Sequence, residues 1–439
     1  MAANTQIGTV SFITMGCAKN EVDSDHMAQR LTDAGYCIVE DPETADVVIV
    51  NTCSFIQAAT EESIDAILEA AGYESIKDGK AHLVVAGCMP ARYGEELSAE
   101  LPEVSEFVPC SKEDDIVAVI DALLGTERLV GEDALVRLEA EGPSRVFAYV
   151  KISDGCDRFC AYCAIPYIRG RYHSFSQDEV FAEVERVVGQ GAREVVLIAQ
   201  DTGRWGKDFE TPSSLATLMG NLAENWPDVW FRVMYIQPEG VSDELIATVA
   251  GHGNICKYFD IPFQHVNAKV LKAMNRRGSA DDYTGLIARI RAAIPDAAIR
   301  TTLIAGFPGE GEDAFDELCD FVEDAELDYV GVFPYSREEG TRAYDLPDQI
   351  DEDEKMSRAQ TLRDLADAAC SVRIASRVGS CQDVLVCGEE EDGQLFGRSM
   401  LQAPDVDGVT YLDRGEVGQV VRARIEDSLL YEMEGTVLS

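Results

Sequence analysis

The sequence is short of positive charge: 37 lysines and arginines stand against 80 aspartates and glutamates, a formal net charge of −43. Such a body repels a phosphate backbone unless a local basic patch overrides its field, and it attracts basic partners. Two readings of the acidity stand side by side, steering of a basic partner and plain solubility in a host whose proteins are acidic. Long apolar runs are also missing, and none approaches the eighteen residues of a membrane span. The first ten residues, MAANTQIGTV, lack the basic and apolar blocks of a signal peptide. A cytoplasmic protein with no membrane partner is expected. Internal repeats and low-complexity tracts are absent. In a reducing compartment the thirteen cysteines do not read as a disulfide framework, and an odd number cannot all pair. Metal ligation, redox chemistry or burial must account for them.

What is present is a chain of 439 residues, 46% apolar, long enough for two or three domains with real cores. Residues 5–125 read as an open α/β domain. Apolar runs at Ile7–Ile13, Val47–Val50 and His82–Ala86 alternate with helical patterns at Glu21–Ala34, Gln57–Ala71 and Ala91–Ser98. A polar stretch at 126–144 reads as a linker. Over 145–375 the alternation resumes, with strands expected at Phe147–Ile152, Glu194–Ala199, Trp230–Ile236, Tyr258–Pro262, Ala298–Ile304 and Tyr329–Tyr335. Six such units suit a partial (β/α)6 barrel, whose chemistry sits at the carboxyl ends of its strands. A charged helix follows at Asp351–Val378. The rest, 376–439, breaks into short β runs split by Gly and Asp, as in a small β-barrel.

The tract "DGCDRFCAYC" (Asp154–Cys163) places Cys156, Cys160 and Cys163 in a C-x3-C-x2-C array directly after the first barrel strand. Thiolates at this spacing bind zinc or an iron–sulfur cluster. A structural zinc site is closed by four ligands, yet the next candidate, His173, stands ten residues beyond Cys163. A cubane held by three cysteines keeps one iron open. A second triad is hidden by distance. The three amino-terminal strands run into "ITMGC", "VIVNTC" and "VVAGC", at Cys17, Cys53 and Cys88. In a parallel sheet the carboxyl ends of strands share one edge, so these thiols are expected to meet. For Cys37, Cys110, Cys256, Cys319, Cys370, Cys381 and Cys387 the sequence offers no such geometry.

The Cys156–Cys163 spacing, with Tyr162 before the last cysteine, resembles the radical S-adenosylmethionine superfamily. The resemblance implies that the open iron chelates the methionine end of S-adenosylmethionine. One electron then yields a 5′-deoxyadenosyl radical. Together with Cys17, Cys53 and Cys88 on a separate domain, the chain resembles the methylthiotransferases, which hold a second [4Fe-4S] cluster for sulfur insertion. One branch of that family modifies tRNA adenosines and another an aspartate of the small-subunit ribosomal protein numbered twelve. The words "GCAKNEVDSD" (Gly16–Asp25), "DGCDRFCAYCAIPYIRGRYHS" (Asp154–Ser174) and "GRSMLQAPDVDG" (Gly397–Gly408) are similar to the second branch. The resemblance spans the chain and makes the terminal barrel a TRAM, OB-like domain. It implies two [4Fe-4S] clusters, S-adenosyl-L-methionine, an external electron donor, and a basic ribosomal protein rather than nucleic acid as direct substrate. From Ser371 to Ser439 six arginines and no lysine face thirteen acids, whereas an RNA-binding barrel carries a basic face.

Weaker site candidates follow from the same resemblance. Gln200 and Asp201, at the end of the second barrel strand, match the position that touches the cofactor's methionine end. Ile304 and Gly306 in "TTLIAGFPGEGED" match a segment whose backbone contacts adenine; a glycine turn needed with no ligand is the competing reading, since neither the dinucleotide fingerprint nor a P-loop fits. Gln264 and His265 end another strand, His265 reading as a satisfied supporting residue. Arg169 and Arg171 hold a substrate carboxylate or pair with nearby acids. Two rivals stand: a tRNA methylthiotransferase with the same chemistry, and an iron–sulfur electron carrier or zinc-stabilised interaction protein.

Overall fold

The computed structural model describes residues 7–126 and 145–438, so the expected linker lies outside the described residues but for its first position. These residues form two compact units. The first takes in 7–126 with the short stretches 155–157 and 163–171; the second takes in 145–154, 158–162 and 172–438.

The first unit is built on five parallel strands, β1 (Thr9–Thr14), β2 (Cys37–Ile38), β3 (Val47–Thr52), β4 (His82–Gly87) and β5 (Glu106–Pro109), in the order β2-β1-β3-β4-β5. The central strand explains the layering. Every residue of β3 is buried, and the period of two sends Val47 and Ile49 to one face, Val48 and Val50 to the other. The first pair packs with Met27 and Leu31 of the helix Ala18–Asp33 and with Ile116 and Ile120 of the helix Ile116–Leu124. The second pair packs with Ile67 of the helix Gln57–Ala71 and Met89 of the helix Cys88–Tyr93. A strand covered on both faces needs a continuous apolar run, which is why VVIV is legible as one. Each such side chain contributes roughly 1.5–3 kcal/mol on burial. Two strands escape a reading for apolar runs: β2 has two residues, and β5, EFVP, has a single buried one. The helix expected over Ala91–Ser98 is two helices, Cys88–Tyr93 and Glu95–Glu100, which break at Gly94.

The second unit opens with β6 (Phe147–Lys151), continues with the paired short strands β7 (Ser153–Asp154) and β8 (His173–Ser174), and then supplies β9 (Glu194–Ile198), β10 (Trp230–Val233), β11 (Tyr258–Asp260), β12 (Ala298–Ala305) and β13 (Tyr329–Pro334). Strands β6, β9 and β10 form one parallel sheet and β11, β12 and β13 another; a lone parallel bridge from Phe231 to Ile255 continues the ladder between them. This is the six-stranded partial barrel expected from the strand–helix alternation. Ser176, Ser214, Ser242 and Ser279 cap the helices Gln177–Gly189, Leu215–Asn225, Asp243–Gly251 and Ala280–Ala293, each accepting a backbone N–H at its helix start, worth about 1 kcal/mol apiece. Among the described residues no helix is long and apolar enough to cross a membrane.

After the long helix Glu352–Ala375, the strands β14 (Cys381–Glu389), β15 (Leu395–Ser399), β16 (Thr410–Leu412), β17 (Val420–Leu429) and β18 (Glu432–Val437) close into a small barrel, in the order β14-β15-β16-β18-β17. The strap between β15 and β16 fastens this barrel to the larger one. Tyr149 Oη donates to Asp405 and Tyr258 Oη to Asp407, both at 2.7 Å, while Arg232 Nη1 donates to the Met400 carbonyl at 3.0 Å. Glu194, fully buried, lies 2.7 Å from Arg232 Nε and 2.8 Å from Arg398 Nη1. Glu194 and Tyr258 begin β9 and β11, while Tyr149 and Arg232 are the third residues of β6 and β10. The strap therefore plugs the amino-terminal end of the partial barrel, opposite the end where such barrels place chemistry.

Candidate active site

The cysteine tract begins where β7 ends. Within the first unit Cys156 is buried and its N–H donates to the Gly170 carbonyl at 3.2 Å. Cys163, half-buried, begins the stretch 163–171 of that unit. Within the second unit the residues between them are pinned from one side. Phe159 takes a left-handed conformation, φ 47°, a costly one for a bulky residue. Asn275 Nδ2 fixes it by donating to the carbonyls of Arg158 and Phe159, both at 3.0 Å. Ala161 N–H donates to Met274 O at 2.9 Å. Arg276 reaches the Tyr162 hydroxyl at 3.5 Å; burial alone would weaken its charge, but Tyr162 and Cys160 hold it protonated. A half-buried guanidinium beside the middle cysteine is a feature the sequence reading missed, because Arg276 stands more than a hundred positions away in an unremarkable "NRRG".

Gln200 and Asp201 follow β9 as expected. Gln200 Nε2 donates to Asp154 at 3.0 Å, which leaves its carbonyl oxygen as the unsatisfied atom. Asp201 is fully buried; burial pushes its carboxyl up, against the pull of Arg158, whose Nε lies 2.5 Å from Oδ2. Oδ1 has no partner, nor has the buried Gln237 Oε1 just after β10. Buried acceptors without donors are costly. Here three lie at the carboxyl ends of adjacent strands, a set suited to a cationic or ammonium-bearing ligand.

At the end of β12 the backbone contacts are internal. Ile304, half-buried in β12, donates to the Gln264 carbonyl at 2.7 Å. Gly306 donates its N–H to both carboxylate oxygens of Glu310 at 3.0 Å, and a Cβ built on it would stand 2.4 Å from Lys355 Cγ at φ 78°. A glycine is required there with or without a ligand. His265 is fully buried; its Nδ1 accepts from the N–H groups of Val266 and Asn267, and Nε2 lies 3.2 Å from Glu310. It ties one turn to the next. Arg171, exposed, pairs with Asp157.

In the first unit Cys17, Cys53 and Cys88 lie just beyond β1, β3 and β4, as the parallel topology requires. Gly16 permits the approach: at φ 99°, a Cβ there would stand 2.5 Å from the Cys53 Cβ. Asn20, buried, laces the edge together by donating to the carbonyls of Met15 (3.0 Å) and Thr52 (2.9 Å). Cys53 is pushed up to about 11 by burial, with Cys17 and Cys88 as electrostatic neighbours. Cys88 is drawn down to about 7, chiefly by a hydrogen bond with Cys110 and also by Arg169 against the opposing effect of burial; Cys110 is raised in turn. Arg169 pairs with Asp23 at 2.8 Å, both buried, and lies 3.4 Å from Cys88 Sγ. Of its two expected roles, pairing with an acid is the one seen. Cys110, which the sequence gave no reason to place here, sits at the end of β5. Among the described residues no three His, Cys, Asp or Glu side chains converge on a single metal-ion position. Three cysteine thiols on one sheet edge are the donor chemistry of an iron–sulfur cluster.

The chain matches the model of the uncharacterized protein family UPF0004 over residues 9–109, the radical SAM superfamily over 150–322 and the TRAM domain over 378–438. The structure of the radical S-adenosylmethionine methyltransferase TsrM from Kitasatospora setae, with cobalamin and a [4Fe-4S] cluster bound, shares the fold with a TM-score of 0.55 at 13% identity, covering 74% of each chain. That of the cobalamin-dependent S-adenosylmethionine radical enzyme OxsB gives 0.53 at 12% identity over 82% of this chain and 56% of that one. A partial parallel barrel with the three-cysteine tract after its first strand defines the radical S-adenosylmethionine class. Curated relatives narrow it. The ribosomal protein uS12 methylthiotransferase RimO of Geobacter sulfurreducens is 42% identical over 98% of both chains, that of Pelobacter propionicus 41% over 99% of both, and that of Clostridioides difficile 38% over 98% of both. The chain belongs to the RimO family of ribosomal protein uS12 methylthiotransferases.

Proposed function

We propose that this chain is a transferase that methylthiolates the β-carbon of an aspartate in ribosomal protein uS12, with two [4Fe-4S] clusters and S-adenosyl-L-methionine. The observation that carries it is the pairing of two cysteine triads with near-full-length likeness to uS12 methylthiotransferases. Cys156, Cys160 and Cys163 would hold one cluster and Cys17, Cys53 and Cys88 the other. When bound, the first supplies the electron that cleaves S-adenosylmethionine and the second a place for the sulfur to be inserted. The protein's own groups prepare these sites. Asn275 and Arg276 fix the turn that carries Cys160. Gln200, Asp201 and Gln237 offer oxygens to the ammonium group of S-adenosylmethionine, a charge-assisted contact stronger than a neutral one. Tyr162 would stand beside that site, and the backbone of Ile304 and Gly306 would border the adenine.

A basic substrate suits the small barrel. A cavity of ≈ 810 Å³ on its surface is lined by Glu390, Glu391, Asp392, Asp413, Glu426 and Glu434 among others. Such a face attracts a lysine- and arginine-rich protein and repels tRNA. The reconstituted chain, with reductant, sulfide and S-adenosylmethionine, should add a methylthio group to uS12, read by mass spectrometry. Methylthiolated tRNA with untouched uS12 would overturn the substrate. Zinc instead of iron, or no S-adenosylmethionine cleavage, would overturn the enzyme.

A further inference from the structure

The period of two sends alternate side chains of β6 to opposite sides. Val150, and Ile152 just beyond the strand, pack with Val180 and Val184 of the helix Gln177–Gly189. Tyr149 and Lys151 therefore face the barrel interior, where the Tyr149 hydroxyl reaches Asp405 of the strap. Among the described residues, the cations that the six barrel strands turn inward are Lys151, Arg232 and Arg300. Arg232 is tied to Glu194 at 2.7 Å and Arg300 to Asp260 at 3.0 Å. Lys151 differs in place: it is the last residue of β6, level with Ile198 of β9, at the carboxyl end where such barrels do chemistry. Its side chain is 8% exposed, and its ammonium lies 3.3 Å from one oxygen of Asp154, whose other oxygen accepts from Gln200 at 3.0 Å. Lys151 is thus joined through Asp154 to a residue assigned above to S-adenosylmethionine. The interior is open toward this end. Thr302 and Ile304 of β12 and Gly331 of β13 are half-buried, and Phe333 is 51% exposed. The fold makes no demand for a glycine at Gly331, since a Cβ there would meet nothing nearer than 3.5 Å.

We propose that Lys151 binds the side-chain carboxylate of the substrate aspartate and so holds the β-carbon, one bond away, inside this chamber. The idea rests on the reading of a uS12 aspartate as substrate and adds the group that recognises it. A carboxylate entering a chain of net charge −43 is repelled unless a cation meets it. An ammonium–carboxylate hydrogen bond is of the strong, charge-assisted kind, and it gains further where water is scarce. An ammonium carries three N–H donors, and Asp154 orients it along one of them. The methionine carboxylate of S-adenosylmethionine has the same chemistry, but the family resemblance gives that group to the open iron, which leaves the substrate's carboxylate for Lys151.

The test uses the full chain, reconstituted anaerobically with iron and sulfide and given S-adenosylmethionine but no reductant, so that uS12 binds without reacting. Affinity is measured for uS12 and for uS12 carrying asparagine in place of the modified aspartate. The parent should bind the aspartate form about tenfold or more tightly, the size of a hydrogen bond to a charged group. Lys151→Met, which keeps the length and loses the charge, should weaken the aspartate form by that factor, spare the asparagine form, and so erase the preference. Lys151→Arg, which keeps the charge, should retain it. A parent without the preference overturns the proposal, as does its loss in Lys151→Arg. A Lys151→Met chain that keeps the preference, or weakens both forms alike, overturns it too, since the pair with Asp154 would then serve the fold alone. Loss of S-adenosylmethionine affinity in Lys151→Met with the preference intact would give Lys151 to the cofactor's carboxylate and sink the assignment. A parent that leaves uS12 unmodified once reductant is added refutes the substrate reading instead.

Discussion

Replacing Glu194 by glutamine removes a negative charge from a place where two guanidiniums meet. The side chains of Glu194 and Arg232 are fully buried and that of Arg398 is 5% exposed. Burial alone would push the Glu194 carboxyl up, yet Arg398 and Arg232 outweigh it and hold the group below the ordinary carboxylate range. Breaking a buried ionic group costs about 3–5 kcal/mol, because the remaining charges lose their compensation. The lower end applies here. Arg232 keeps the Met400 carbonyl and the Tyr258 ring, 4.7 Å away, and Arg398 keeps the Phe147 ring at 4.7 Å. At about 2 °C per kcal/mol for a unit of this size, the second unit's thermal transition should fall by about 6 °C.

Because the folded-state pKa of Glu194 is depressed, its stabilisation is fully present above the ordinary glutamate value, about 4.3, and is lost as pH falls through the folded value. Calorimetry across the acid range should therefore show a shallower slope in Glu194→Gln than in the parent. Protease should release residues 378–438 sooner from the variant, and methylthiolation of uS12 should drop more than substrate-free cleavage of S-adenosylmethionine. A triple replacement, Glu194→Leu with Arg232→Met and Arg398→Met, should recover stability, since apolar residues of similar volume replace buried ion groups at little cost. An unchanged transition in Glu194→Gln, or a triple variant as damaged as the single one, would refute the reasoning.

Three further outcomes are expected. Cys160→Ala should abolish formation of 5′-deoxyadenosine, whereas Cys53→Ala should leave that cleavage measurable and end sulfur insertion; identical behaviour would dissolve the division of labour between the triads. Gly306→Ala should destabilise the chain by about 1–3 kcal/mol in denaturant melts, given the left-handed backbone and the Lys355 contact; a selective loss of S-adenosylmethionine affinity with normal stability would show that the ligand, not the fold, demands the glycine. Asp201→Asn should weaken S-adenosylmethionine binding by about tenfold or more, as a charge-assisted hydrogen bond is lost, while far-ultraviolet dichroism stays unchanged; equal affinities would remove Asp201 from the site.

Regularity decided what was legible in the sequence. Strands buried on both faces announce themselves as apolar runs, so β3, β4 and the six barrel strands were readable, and a parallel sheet then places Cys17, Cys53 and Cys88 on one edge without any knowledge of side-chain positions. Cys110 obeys the same rule but rides on EFVP, which carries no apolar run, and so the fourth thiol went unplaced. The contacts of Arg169 and Arg276 were opaque for a different reason. Their partners lie far along the chain, Asn20 and Asp23 at separations of 149 and 146 positions and Tyr162 at 114, and no local pattern encodes such a meeting. The strap word "QAPDVDG" was noticed only by resemblance. Its residues contact the amino-terminal half of the larger barrel, so what reads in sequence as a mark of substrate choice is, in the fold, a fastening.

The disposition of the few cations bears on the acidity itself. Arg158, Arg169, Arg232, Arg300, Arg358, Arg377 and Arg398 are largely buried, and they serve the interior acids Asp201, Asp23, Glu194, Asp260, Glu310 and Asp328. Each pair is close to neutral, so the net charge of −43 is carried by a surface poorer in cations than the composition states. If the acidity steers a basic substrate, the association rate must respond to salt, because surface fields fade beyond a Debye length of about 10 Å at 0.1 M. Turnover on uS12 at sub-saturating substrate should fall steeply as salt rises from about 0.05 to 0.5 M, through KM rather than kcat, while S-adenosylmethionine cleavage without uS12 stays level. Lysine replacements at Glu390, Glu391 and Asp392 should flatten that dependence. A salt response of KM that those replacements leave untouched would place the steering elsewhere, and no salt response at all would reduce the acidity to solubility.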